Sequence, residues 1–169
     1  MNKEFRHFIV SESFEIMLGP KRLIDGKTVA KEFFRGPASR FKDRIGCYIF
    51  SLRTGRGCMP YYVGKTKRCF VDEAYAPHKI SNHYQPILLR HKGTPIMQFV
   101  VLKEQPGRSP SSVINDLERY LIQVAFAKNM NLSNKQGIPK TRWTIDGVLN
   151  AKPGKPKKEV LEFKATLGL

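Results

Sequence analysis

Acidic residues are scarce. The 169-residue chain carries 14 Asp and Glu against 30 Lys and Arg, a formal net charge of +16. The excess is not confined to a tail: basic residues outnumber acidic ones 10 to 6 over residues 1–44, 12 to 5 over 45–134 and 8 to 3 over 135–169. A field of this kind attracts polyanions and makes their binding steeply salt-dependent. Nucleic acid is the favoured partner. Anionic membrane fits less well, because no segment joins a basic face to a clean apolar one. Ribosome association or plain solubility also account for basic chains. Long apolar runs are missing too. Nothing approaches the ~20 residues of a membrane span, and MNKEFRHFIV is charged and lacks a secretory apolar region. Cysteine is limited to Cys47, Cys58 and Cys69, spaced by eleven. That spacing fits no common zinc pattern, and an odd count is a poor disulfide framework. They read as reduced thiols of a cytoplasmic protein, with Cys47 in the core.

With 41% hydrophobic and 26% charged residues, the chain has the composition of a folded domain with extensions. Residues 1–44 read as an N-terminal extension. In it RHFIVSESFEIML is a candidate strand pair and GKTVAKEFFRG a short helix between glycines. Residues 45–150 read as the main domain, and 151–169 as a basic linker with a short helix. Within the main domain, GCYIFSL (46–52) and MPYYVGK (59–65) are two strands of a hairpin closed by RTGRGC. Alternation puts Tyr48, Phe50 and Leu52 on one face, and Tyr62 and Gly64 on one face of the second strand. A hairpin centred near Gly55 would set Tyr48 opposite Tyr62. Pro60 marks an edge or a bulge.

Phe70, Val71 and Ala74 have helical spacing, with Pro77 ending that turn, and SNHYQPILLRHKG is a second helix stopped by Gly93. PIMQFVVLK is an apolar run expected of a strand covered on both faces. A longer helix follows, with Ser109 as N-cap, Pro110 at the first position and an end near Lys128. Its apolar stripe is Ile114, Leu117, Leu121, Val124 and Ala125. Residues 141–149 are a candidate short strand around Trp143.

Glu118 falls inside that stripe, four after Ile114 and three before Leu121. An ionised carboxylate there needs compensation. A buried salt bridge, a metal-ligating or catalytic role and a partly exposed edge position all remain open.

Gly46-Cys47-Tyr48, then Tyr62-Val63-Gly64, then a helix with an inward glutamate and a following asparagine resemble the GIY-YIG nuclease superfamily over residues 46 to about 134. The resemblance implies an α+β fold: a three-stranded antiparallel sheet, β-hairpin first, flanked by helices. It implies an endonuclease hydrolysing phosphodiester bonds in DNA with one divalent metal, Mg2+ or Mn2+, held by Glu118. It assigns Tyr48 to activating the attacking water and Tyr62 to orienting water or phosphate. Gly64 would leave room for close approach, and Asn134, with Asn131 as alternate, would support the site. The family's usual arginine, about eight residues beyond the motif glycine, is missing: Asp72 or Glu73 stands there, and no arginine occurs from Val71 to Leu89. His78 and Lys79 are the cations at hand, Lys79 as a point charge without the arginine's fork. Lys65 and Arg68 are further candidates for phosphate contact. A non-catalytic nucleic-acid-binding module that retains the fold is the alternative.

Overall fold

The structure, a computed structural model, describes residues 6–55, 57–103, 111–138 and 157–167. Two extended pieces come first, β1 (Phe8–Val10) and β2 (Phe14–Glu15), then helix α1 (Gly26–Phe33). Strands β3 (Gly46–Thr54) and β4 (Gly57–Thr66) form the hairpin. Short helices α2 (Phe70–Glu73), α3 (Pro77–Lys79) and α4 (Gln85–Arg90) follow, the last two joined by a π-helical turn at Ile80–Tyr84. Pro77 opens α3 rather than closing the preceding turn, a position where its missing N–H costs nothing. Strand β5 (Thr94–Leu102) and helix α5 (Ser111–Lys128) complete the unit. The chain divides into two compact units, Met1–Gly137 and Ile138–Leu169, and helix α6 (Lys158–Leu167) belongs to the second. The cap at Ser109 and Pro110, the strand around Trp143 and most of the basic linker lie outside the described residues.

The fold is α+β, with an open, five-stranded antiparallel sheet in the order β1-β5-β3-β4, and β2 also paired with β5. Three of these strands were expected in one sheet; the other two fall in the candidate strand pair RHFIVSESFEIML of the N-terminal 44 residues, which also supply Phe14, Ile24, Val29, Phe34 and Phe41 to the core. That region is built into the sheet and does not stand apart from it. β5 is buried along nearly its whole length, as its near-continuous apolar run, interrupted by Gln98, requires.

The hairpin register differs from direct tyrosine opposition. Tyr48 pairs with Gly64 and Phe50 with Tyr62, and the pairing then shifts so that Ser51 faces Pro60. Tyr61 is the extra residue of this bulge, which explains the offset. Pro60 therefore sits both at a bulge and on β4, the strand at the sheet's edge. Tyr48 and Tyr62 still share a face, as diagonal neighbours with ring centroids 6.2 Å apart.

The sheet has two unlike faces. Tyr48, Phe50, Leu52 and Phe99 join α1, α2 and α4 in a large aromatic core. On the opposite face Cys47 and Val100 pack with Ile114 of α5, flanked by Leu117 and Leu121.

Candidate functional site

Two of the motif glycines are demanded by packing. Gly46 has φ +147°, and a Cβ there would stand 2.1 Å from the Val100 carbonyl oxygen. A Cβ on Gly64 would lie 2.4 Å from the Tyr48 ring. The space beside Gly64 is thus filled by Tyr48 itself, not held open for a substrate.

Tyr48 is fully buried. Its hydroxyl makes no hydrogen bond of ordinary geometry among the described residues, although the Tyr62 and Tyr84 hydroxyls interact with it electrostatically. Burial pushes its pKa far above the usual phenol value, with the neighbouring Tyr62 and Glu73 adding to the rise. Tyr84 is fully buried in the same core. It donates to the Ala74 carbonyl at 2.8 Å and stacks on Phe50 at 4.5 Å.

Tyr62 lies at the boundary of this core and a polar cluster. Lys79 Nζ donates to its hydroxyl at 2.8 Å and pairs with Glu73 Oε1 at 3.2 Å. Partial burial alone would lower the Lys79 pKa, but Tyr62 and Glu73 outweigh it and the net shift is upward. Lys79 is therefore a fixed cation at neutral pH, placed by the short helix that Pro77 starts. The His83 ring packs 4.3 Å from the Tyr62 ring, and its Nδ1 hydrogen-bonds the Ser133 hydroxyl at 2.6 Å. Burial, then the charges of Lys79 and His78, lower the His83 pKa and keep the ring neutral. His78 itself is exposed on α3.

Glu118 is held elsewhere. Its Oε2 accepts from Lys65 Nζ at 2.6 Å, with side-chain exposures of 17% and 33%. Lys65 follows Gly64 directly and so points to the opposite face from Tyr62, the face covered by α5. The nearby Cys47 thiol is pushed up to about 12 by burial and the Glu118 charge. The sequence-derived site residues thus form two groups, each with one member on the edge strand β4, Tyr62 in one and Lys65 in the other. Tyr48, Tyr62 and Lys79 gather on one face, and Lys65 with Glu118 on the other. Arg68 is exposed in the turn after β4. Asn134 is spent on the main chain: its Oδ1 accepts from the Val63 N–H at 3.2 Å and its Nδ2 donates to the Val63 carbonyl. With Asn129 donating to the Pro60 carbonyl at 2.7 Å and the Ser133 N–H to that of Tyr61, the loop after α5 covers part of the β4 edge.

For the implied divalent ion, Glu118 offers one carboxylate, and among the described residues no three His, Cys, Asp or Glu side chains converge. Mg2+ is commonly held by one or two carboxylates together with water and substrate phosphate. Glu118 does not fit that mode beside the phenols: it is paired with Lys65 on the opposite face of the sheet from Tyr62 and Lys79.

Sequence reasoning passed over His83 and Ser133. His83 was legible in part, since it lies four residues after Lys79 on a helical stretch. Ser133 carried no signal, because only the fold brings its loop to α4. No protein-family model, curated protein or solved structure matches the chain.

Proposed function

We propose that the protein is a GIY-YIG-type endonuclease that hydrolyses phosphodiester bonds in DNA. The observation that carries this reading is the Lys79 ammonium seated on the Tyr62 hydroxyl at 2.8 Å, beside Tyr48. The ammonium holds the phenol oxygen in one place, which is the positioning a group that handles a proton of water needs. Lys79 thereby takes the place of the missing arginine, and its charge can also meet the negative charge growing on a phosphoryl oxygen. The base role passes from Tyr48, fully sealed in the core, to Tyr62, which is 4% exposed with its hydroxyl at the Lys79 ammonium and takes the proton of the attacking water as the phosphorus–oxygen bond to the leaving group breaks. Tyr48 acts as the wall that sets the Tyr62 ring. Strands β3, β4 and β5 form the three-stranded core in this reading, with β1 and β2 as additions. Glu118 lies across the sheet from Tyr62 and Lys79, so the proton step rests on these two residues and not on an ion held by Glu118. The net charge of +16 supplies the affinity for the backbone.

The test is cleavage of plasmid DNA with Mg2+ or Mn2+ by wild type, Tyr62→Phe and Glu118→Gln. Loss of a general base lowers the rate by about 10²-fold or more, so Tyr62→Phe should be nearly inert while still retaining DNA, and Glu118→Gln, across the sheet from it, should keep most of the activity. A second reading, a binding module without catalysis, draws on the lysine that neutralises each nearby carboxylate, Lys65 on Glu118 and Lys79 on Glu73. Wild type that binds DNA tightly but cuts no substrate with any divalent ion would establish it.

A further inference from the structure

A cleft of about 630 Å³ runs between the π turn with α4 and the loop after α5. Its walls include His83, Arg90, His91, Asn131, Ser133 and Lys135, and among the described residues no Asp or Glu lines it. The volume is that of a small-molecule site. Its chemistry is that of a nucleotide site: two permanent cations for phosphate, an amide for a base edge and imidazoles for stacking. Two of its groups are held in place by aromatic rings. His91 packs on Tyr61 at 4.6 Å, and the Lys135 ammonium stands over the Phe126 ring at 5.6 Å.

The cleft also adjoins the Tyr62–Lys79 cluster. His83 is a wall of both, with its ring 4.3 Å from that of Tyr62 and its nitrogen bonded to Ser133, another lining residue. We propose that this cleft receives one unpaired nucleotide of the strand whose phosphate reaches Tyr62, which makes the substrate a nucleic acid with a single-stranded end, flap or extruded base. The link to cleavage rests on the hydrolase reading above; the binding of the nucleotide does not. A double helix is too wide for a recess of this volume, whereas a nucleotide splayed from its stack is not.

The experiment is fluorescence anisotropy with the full chain in EDTA, comparing a blunt duplex with the same duplex bearing a three-nucleotide overhang. Wild type should bind the overhang probe about tenfold more tightly, since stacking and phosphate contacts at one nucleotide are of that order. Arg90→Gln combined with Lys135→Gln should erase the preference and flatten the salt dependence for the overhang probe by one to two phosphate contacts, about 1–2 in slope. Both side chains are exposed, and an unchanged unfolding temperature verifies that the variant is folded. His91→Ala, which removes a stacking surface without a permanent charge, should reduce the preference while leaving the salt slope in place. Tyr62→Phe should keep the preference while losing cleavage. Equal binding of both probes by wild type, or an overhang preference retained by the Arg90/Lys135 variant, overturns the cleft proposal. Full cleavage by Tyr62→Phe would instead overturn the assignment of Tyr62 as base, and absence of cleavage by wild type would overturn the hydrolase reading; both leave the cleft standing.

Discussion

The two faces of the sheet handle the same problem differently. Each places a glutamate within reach of a lysine beside β4. On the α5 face, Lys65 and Glu118 meet at 2.6 Å over a small aliphatic core, and the lysine side chain keeps 33% of its exposure. On the other face, Lys79 is 16% exposed and shared between Glu73 and the Tyr62 phenol, above a core of stacked and edge-on rings. The first arrangement is an ion pair that solvent can replace. The second fixes a cation on a phenol oxygen by packing, which is the kind of preorganisation that catalysis uses. The distinction explains why the phenol face, and not the lone acid in the apolar stripe, is the better candidate for the proton-handling part of the site.

The sharpest way to break the contrast is to disturb the aromatic face. Gly64→Ala forces a Cβ into the Tyr48 ring; overpacking of this kind costs about 3 kcal/mol, measured by urea denaturation, and should displace Tyr62 with it. The α5 face should be more forgiving. A double-mutant cycle on Lys65 and Glu118 should return about 1 kcal/mol, because the pair is partly solvated. Tyr48→Phe removes a buried hydroxyl that lacks a hydrogen bond, so stability should stay level or rise by up to about 1 kcal/mol. Smallest is a pH effect at His83. Its folded-state pKa is lowered, so its contribution is full above the ordinary imidazole value near 6.5 and fades as pH falls through the folded value. Thermal unfolding followed from pH 7 to pH 5 should show this loss, and His83→Gln should remove it.

Much of this was legible from residue patterns. The hairpin, β5 and α5 announce themselves through period-two alternation, a near-continuous apolar run and a 3.6-residue stripe. Pro60 flagged the irregularity in β4, but alternation alone cannot reveal that Tyr61, between Pro60 and Tyr62, is the residue left over. The opposite pointing of Gly64 and Lys65 follows from their adjacency alone. Which face α5 would cover did not, because the chain between β5 and α5 fixes no direction, so the partner of Glu118, 53 residues away, stayed hidden. Residues 1–44 showed no chemistry in sequence and show none in the fold; their role as sheet edge and core came from packing partners far along the chain, such as Phe8 opposite Leu102.

The central claim is that Lys79 on Tyr62 is the working pair, and Lys79→Met tests it most directly, because methionine keeps the length of the side chain and removes only the charge. Wild type and variant are compared on one labelled DNA substrate, with binding measured in EDTA and cleavage in Mg2+. The account predicts that binding changes by less than about threefold, the weight of one phosphate contact, while cleavage falls by about 10²-fold. Cleavage by Lys79→Met at the wild-type rate would contradict it.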